Sequence, residues 1–537
     1  MTTTDTATAV DRAAQVRDLD GQANRVGWAA VIACGLGMAV VGWAIVARIG
    51  TFGYALDDPY IHLSLAETIL RGGYGINPGE YASPSSSIAY PFLVAVTLAL
   101  GFGSFGPLVL NVAAALGAAF VLGHLLGRAL ERANGGVSAW AYPLVPLLLL
   151  ASHGYGLAFV GMEHTLHVLA SLAIVLGLSR MTRDGPVHWV LIAGVLAAPL
   201  LRFEGLAFSG AALVALAAFG RWRLALGLGA ALAGLLGIYV LAMQSMGLPP
   251  LPSSVLVKSG TSAAAIGEAS FLAEVMQNLR DLVGEPRAQW VLFGSLALIV
   301  PALWPGLPAA ARVTAAATAA AGLAHCVAGS WSIFPRYGIY LVASVLAAWL
   351  VVLAALPIAP ARRVWFVPLI AAVCLWAGQL YLVATRLMPP AAQNIHDQQY
   401  QMHRFSTGFF RDPVAVNDLG WTSYRNEAAV LDLWGLGSEE VRRLTAAGKR
   451  TPEALRDLTY LHRVSYAMLF TDWFDGQLPP EWCRIATLRT ISIVTPFDHV
   501  DFYLVDPARG SDMRAALSAW APSLPASASV EIHACDP

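Results

Sequence analysis

The chain has 537 residues, of which 57% are hydrophobic and only 12% charged, against about 45–50% and about 25% in a soluble globular protein. That composition excludes a soluble globular enzyme, and a formal net charge of -1 leaves no basic surface for a nucleic-acid partner. The apolar residues fall in blocks of about 15 to 22, long enough to cross a hydrocarbon core about 30 Å thick, so the chain reads as a polytopic α-helical membrane protein.

Residues 1–26 form a polar tail too long and too acidic for a secretory leader, and no small-residue cleavage site follows, so the first apolar block is expected to be a retained helix. Spans are expected near Gly27 to Ala47, Pro107 to Leu126, Ser138 to Ser152, Thr165 to Leu178, Val187 to Leu201 and Leu206 to Phe219. Five more follow, near Leu224 to Met243, Trp290 to Trp304, Val313 to Ala328, Tyr337 to Leu356 and Val364 to Thr385. This makes about eleven transmembrane helices within residues 27–388. Ser87 to Leu100 is a further apolar stretch. Counted without it, every second loop holds the arginines: Arg12, Arg17 and Arg25, then Arg128 and Arg132, Arg180 and Arg183, Arg221 and Arg223, Arg312, and Arg362 with Arg363. The positive-inside rule puts those loops in the cytoplasm, so Ser87 to Leu100 is expected to be juxtamembrane or re-entrant. The first loop, 49–106, and a tail, 389–537, then lie on the periplasmic side of a bacterial inner membrane.

Hydropathy collapses near Met388, and the tail has the composition of a soluble α/β domain. Strands are expected near Val414 to Asp418, Val430 to Leu433, Tyr466 to Phe470 and Asp501 to Val505. The chain's five cysteines fit no zinc or redox spacing. Cys483 and Cys535 are the only two in the tail and, being outside, are candidates for a disulfide.

The unusual polar residues converge on the outer face. Asp57 and Asp58 follow the first helix and suit a general base, a cation ligand, a pair in which one carboxylate tunes the other, or a solvated helix cap. Behind them Ile61, Leu65 and Ile69 recur at helical spacing beside His62 and Glu67, an amphipathic helix on the membrane surface. Glu163 opens a membrane helix, where the exposed N–H groups favour a carboxylate. His164 and His167 read as core histidines, since no further metal ligand accompanies them. Arg202 and Glu204, between two closely spaced spans, can pair with each other or with Glu163. Lys258 is one of only two lysines, Lys449 being the other; in a Pro- and Ser-rich outer loop it reads as a phosphate point charge or a snorkelling cation. Arg336, in the outer turn FPRYG, offers a second cation with the same two readings.

In chain order, DDPYIHLSLAETILRGGYGINPGEYASPSSS (57–87), GMEHTL (161–166), LRFEGL (201–206), LPSSVLVK (251–258) and VAVNDLGWTSYRNEAAVLDLWGL (414–436) resemble the motif series of the membrane-embedded GT-C glycosyltransferases, nearest to their arabinofuranosyltransferase-like branch. Phe203, Ser253 and Ser254 depart from that branch's usual residues and leave the sugar unassigned. The resemblance implies inverting transfer of one sugar from a polyprenyl-phosphate donor to a hydroxyl of an acceptor glycan, lipid or protein on the outer face, beside membrane lipid. It implies Asp57 as the base, with Asp58 as orienting partner or substitute. Lys258, Arg202 and Arg336 then form the phosphate clamp, with Glu163, Glu204, His62 and Tyr60 in support. No cofactor is expected, and a divalent cation is left open. The competing classes are a transporter or flippase of lipid-linked sugars, whose ionisable groups would line a path through the bilayer, and an O-antigen ligase or polymerase.

Overall fold

The computed structural model describes residues 3–132, 136–183, 185–258, 275–276, 278–280, 282–329, 331, 334 and 336–535, with side chains from residue 20 onward except those of 255, 257 and 258. The membrane part is built from α1 (Thr3–Ile49), α2 (Asp58–Leu70), α3 (Tyr90–Ala99), α4 (Gly106–Ala129), α5 (Ala141–Ala151), α6 (His164–Ser179) and α7 (Trp189–Leu201). It continues with α8 (Gly205–Ala218), α9 (Trp222–Ser245), α10 (Ser253–Lys258), α11 (Pro286–Leu303), α12 (Ala309–Ala328), α13 (Ile339–Ala355) and α14 (Phe366–Asp397).

Among the described residues five stretches are long and apolar enough to cross a membrane: Asp20–Ile49, Gly103–Ala129, Trp222–Ser245, Pro286–Leu303 and Pro360–Phe409. The other expected spans coincide with α5 to α8 and α13, of 11 to 17 residues, and with the alanine-rich α12. Among the described residues each of the eleven expected spans coincides with a helix, and five of them are both long and apolar enough to cross on their own. For three of the others the physical reason is local: Arg202 turns extended at the end of α7 and Gly161 takes a left-handed turn before α6, so α6, α7 and α8 stop short. Glu163, Arg202 and Glu204 occupy these helix ends, as the caps of α6, α7 and α8. The stretch Ser87 to Leu100 holds only α3, ten residues or about 15 Å, too short to cross. Close approach of α1 and α4 rests on small residues: a Cβ on Gly123 would stand 2.7 Å from the Ala30 Cβ and the Val26 carbonyl, as at small-residue seams between membrane helices.

The helix α14 does not end where hydropathy falls. It runs through Met388, Pro389 and Pro390 to Asp397 and leads into α15 (Gln399–Arg404), carrying the tail on a continuous rod. The tail is a six-stranded sheet, β1 (Val414–Val416), β2 (Val430–Asp432), β3 (Tyr466–Leu469), β4 (Cys483–Arg489), β5 (His499–Leu504) and β6 (Ser529–Ile532), in the order β2-β1-β3-β5-β4-β6. The pairs β1–β2 and β1–β3 are parallel and the rest antiparallel. Alternation divides the core: Val414, Val416, Tyr466 and Met468 face Phe405, Met513 and Trp520, while Ala415, Leu431 and Ala467 face Val441 and Leu455. Four strands lie where expected; β4 and β6 were not expected. Cys483 and Cys535 form a disulfide, Cα to Cα 5.9 Å, fastening the start of β4 to the segment after the edge strand β6.

Several contacts seat the tail on the first loop. Asn77 exchanges two hydrogen bonds of 2.9 Å with the Val430 backbone, at the edge of the sheet. Tyr60 stacks on Trp421 with ring centroids 3.8 Å apart. His462 lies between Glu80 and Glu440, at 3.5 and 2.9 Å. The Glu80 carboxylate, reinforced by Glu440, raises His462 to about 9 despite partial burial. A folded value above the unfolded one stabilises fully below about pH 6.5 and is lost as pH rises through 9. Both carboxylates are well exposed, 41% and 54%, so screening limits the contribution to about 1 kcal/mol or less. Thermal melts from pH 6.5 to 9 should show wild type losing stability faster than His462→Gln; equal slopes would rule this contact out as the cause.

Candidate active site

The adjacent carboxylates of the first loop point into different surroundings. Asp57, only 5% exposed, accepts the Gly420 N–H on Oδ2 at 2.7 Å and the Trp421 N–H on Oδ1 at 2.8 Å. The approach requires glycine, since a Cβ at 420 would lie 2.3 Å from the Asp57 carboxylate. Burial and the adjoining Asp418 carboxyl push Asp57 well above the usual carboxylate range, with the Trp421 N–H opposing them. Gln399 in turn donates to Asp418 at 2.8 Å. Asp57 is thus the joint between first loop and tail. Asp58, the first residue of α2, turns the other way: its side chain is 24% exposed and Oδ2 accepts from Arg336 Nη1 at 3.2 Å.

Arg336 belongs to the turn before α13, and its neighbour Tyr337 organises the rest. The Tyr337 ring lies between two guanidiniums, 4.7 Å from that of Arg202 and 5.3 Å from that of Arg336, and stacks on His164 at 5.3 Å. Arg202 is locked in place by Glu163 at 2.7 Å, Glu204 at 2.6 Å and His164 at 3.2 Å. Ser86 donates to the other side of Glu163 Oε1, at 2.9 Å, so the SPSSS end of the first loop closes over this pair. His62 packs edge-on to Tyr90 and brings Nε2 to 3.8 Å from Glu163 Oε2. Deeper, His167 packs on Tyr340, whose hydroxyl meets His325 Nδ1 at 3.2 Å, so both histidines are core residues within an aromatic layer.

The structure therefore brings Asp58, Glu163, His62, Arg202, Glu204 and Arg336 into one cluster at the tail side of the bundle. It leaves Asp57 and Tyr60 at the tail joint. Lys258 ends α10, which is tied to the first loop by the Ser253 N–H donating to the Ser83 carbonyl at 2.9 Å; the Lys258 side chain lies outside the described residues. The two arginines differ in commitment. Arg202 is balanced by two carboxylates. Arg336 has only Asp58 as an ion-pair partner among the described residues, and its buried Nε has no hydrogen-bond partner among them. No three of the described His, Cys, Asp and Glu residues converge as a metal-ligand set.

Tyr337, Ser86, Asp418 and the Gly420–Trp421 backbone were missed from the sequence. An aromatic next to an arginine in an outer turn was a readable cation–π signal for Tyr337. Nothing local marks a joint whose partners are 363 residues apart.

Comparison with known proteins adds three findings. Residues 393–505 match a family described as a domain of unknown function, DUF8728. No curated protein matches the chain. Among solved structures, the chain is similar to ArnT from Cupriavidus metallidurans in the apo state, at 14% identity and a TM-score of 0.45, covering 89% of this chain and 98% of that one. It is also similar to the Archaeoglobus fulgidus oligosaccharyltransferase in the apo form, at 12% identity and 0.46, covering 91% and 78%.

Proposed function

We propose that the protein is a membrane glycosyltransferase of the GT-C type. It moves one sugar from a polyprenyl-phosphate donor to a hydroxyl of an acceptor glycan, lipid or protein, on the membrane face that bears the tail, the periplasmic face in a bacterium. The observation that carries this reading is the Asp58–Arg336 pair: a solvent-reached carboxylate beside a buried, lightly committed guanidinium, within the motif series quoted above.

In this reading the acceptor oxygen attacks the anomeric carbon, the bond from that carbon to the phosphate oxygen breaks, and the acceptor's proton passes to Asp58. The leaving polyprenyl phosphate is already a stable anion and needs a cation rather than an acid. Arg336 supplies it, with Lys258 as the second cation on α10. A phosphate drawing Arg336 away would release Asp58 from its ion pair and so raise its basicity as the donor binds. The roles expected for the aspartates are thus exchanged. Both Asp57 oxygens are occupied by tail N–H groups, which makes Asp57 a positioning residue, and Arg202, already neutralised, positions Tyr337 and Arg336 rather than gripping phosphate. Glu163, Glu204 and His62 hold that frame, while Tyr60, stacked on Trp421, holds the tail joint beside Asp57.

The test is a transfer assay: purified protein, a panel of radiolabelled polyprenyl-phosphate sugars and an extract of envelope acceptors. One donor should yield labelled product and free polyprenyl phosphate. Donor binding with exchange between vesicle leaflets, and no product from any donor, would instead make the protein a carrier.

A further inference from the structure

We propose that the protein holds an anionic phospholipid of the opposite leaflet, in a pocket at the end of the bundle away from the tail. The proposal is independent of the transferase reading. From His164 in the polar cluster, α6 runs 16 residues to Ser179, about 24 Å. There an open pocket of about 680 Å³ lies between α1, α4, α6, α12 and α13, within the usual range for a bound small molecule.

Its walls are of two kinds. One is a polar chain: Asp20 pairs with Arg128 at 3.0 Å, Asn24 Oδ1 meets His124 Nδ1 at 2.9 Å, and His124 Nε2 meets Arg180 Nη2 at 3.4 Å. The other wall is apolar, formed by Leu125, Leu176, Leu350, Val351 and Ala354. Asp20 offsets Arg128, whereas exposed Arg180 has only an imidazole nitrogen as its partner among the described residues. The pocket therefore carries surplus positive charge at its mouth. An anion free in water would gain nothing from the apolar wall. A phospholipid uses both, with its phosphate at Arg180 and Arg128 and its first methylenes along Leu350, Val351 and Ala354. The charge surplus favours a net anionic headgroup over a zwitterionic one, as in basic pockets between membrane helices generally.

The experiment is native mass spectrometry of the full chain in detergent, with phosphatidylglycerol, phosphatidylcholine or glycerol phosphate added. Phosphatidylglycerol should be retained in preference to phosphatidylcholine. Arg180→Gln should weaken retention about fivefold, and the Arg128→Gln, Arg180→Gln double variant about 25-fold. Because Arg128→Gln strands Asp20, Ser179→Glu serves as a variant that breaks no ion pair; its carboxylate beside Arg180 should likewise reduce retention. Equal retention of phosphatidylcholine would overturn the proposal, as would undiminished retention in Arg180→Gln. Equal binding of glycerol phosphate would make it a soluble-anion site, and an equal loss in Arg223→Gln, outside the pocket, would reduce it to general charge attraction; either result overturns it.

Discussion

Asp58→Asn is expected to lower turnover by about 10²–10⁴-fold, the usual worth of a general base, in a protein that still folds and still binds donor. Asparagine keeps the shape and can accept from Arg336 through its carbonyl, so the frame around Tyr337 survives while the proton loses its destination. Asp57→Asn should behave differently. Its carbonyl oxygen can accept only one side of the Gly420 and Trp421 pair, leaving one N–H of the tail joint poorly served, at about 1–3 kcal/mol. Part of that returns, because an amide beside Asp418 removes a like-charge contact. The expected result is a lower melting temperature with turnover per folded molecule within tenfold of wild type. Assays at a temperature where both variants are folded, with circular dichroism as the check, separate the two. A folded Asp57→Asn as inactive as Asp58→Asn would return the base to Asp57 and defeat the burial argument. Wild-type turnover in the double variant would remove this loop from the chemistry altogether.

What was legible in the sequence follows from what each signal measures. Short apolar runs revealed β1 and β3, whose two faces are both covered; that signal missed β4, whose CRIATLR run mixes charged and apolar residues and breaks register between Arg484 and Ala486, and β6, an exposed polar edge. Hydropathy located the membrane helices and, at α6 to α8, their ends within two residues, because the polar residues of GMEH and RFEG interrupt the apolar runs. It failed at the last helix, stopping at Met388 although α14 continues for nine residues more. Polarity in an apolar chain picked out Asp58, Arg336, Arg202, Glu163 and Glu204, because burying such groups demands a reason. It could not tell which aspartate the tail buries and which one water reaches. One residue along α2 rotates a side chain by about 100°, and the element that claims Asp57 comes from the far end of the chain.

The two arginines of the cluster should separate in the same way, one through stability and the other through binding. Arg202→Met leaves Glu163, fully buried, and Glu204, mostly buried, without the cation that neutralises both. Removing one partner of a buried charge network costs about 3–5 kcal/mol, so this variant should express poorly and melt early. Adding Glu163→Gln and Glu204→Gln should restore much of the loss, since no carboxylate is then stranded. Arg336→Met strands only Asp58, which water already reaches, and should cost about 1 kcal/mol. Its effect should appear instead in donor affinity, about 10–100-fold weaker, the worth of one charge-assisted hydrogen bond to phosphate. Thermal melts and titration with a labelled polyprenyl phosphate read the two quantities independently. If Arg202→Met with its two compensating glutamines folds normally yet loses donor as severely as Arg336→Met, then Arg202 grips the phosphate itself, and the carboxylates around it serve to aim the guanidinium rather than to satisfy it.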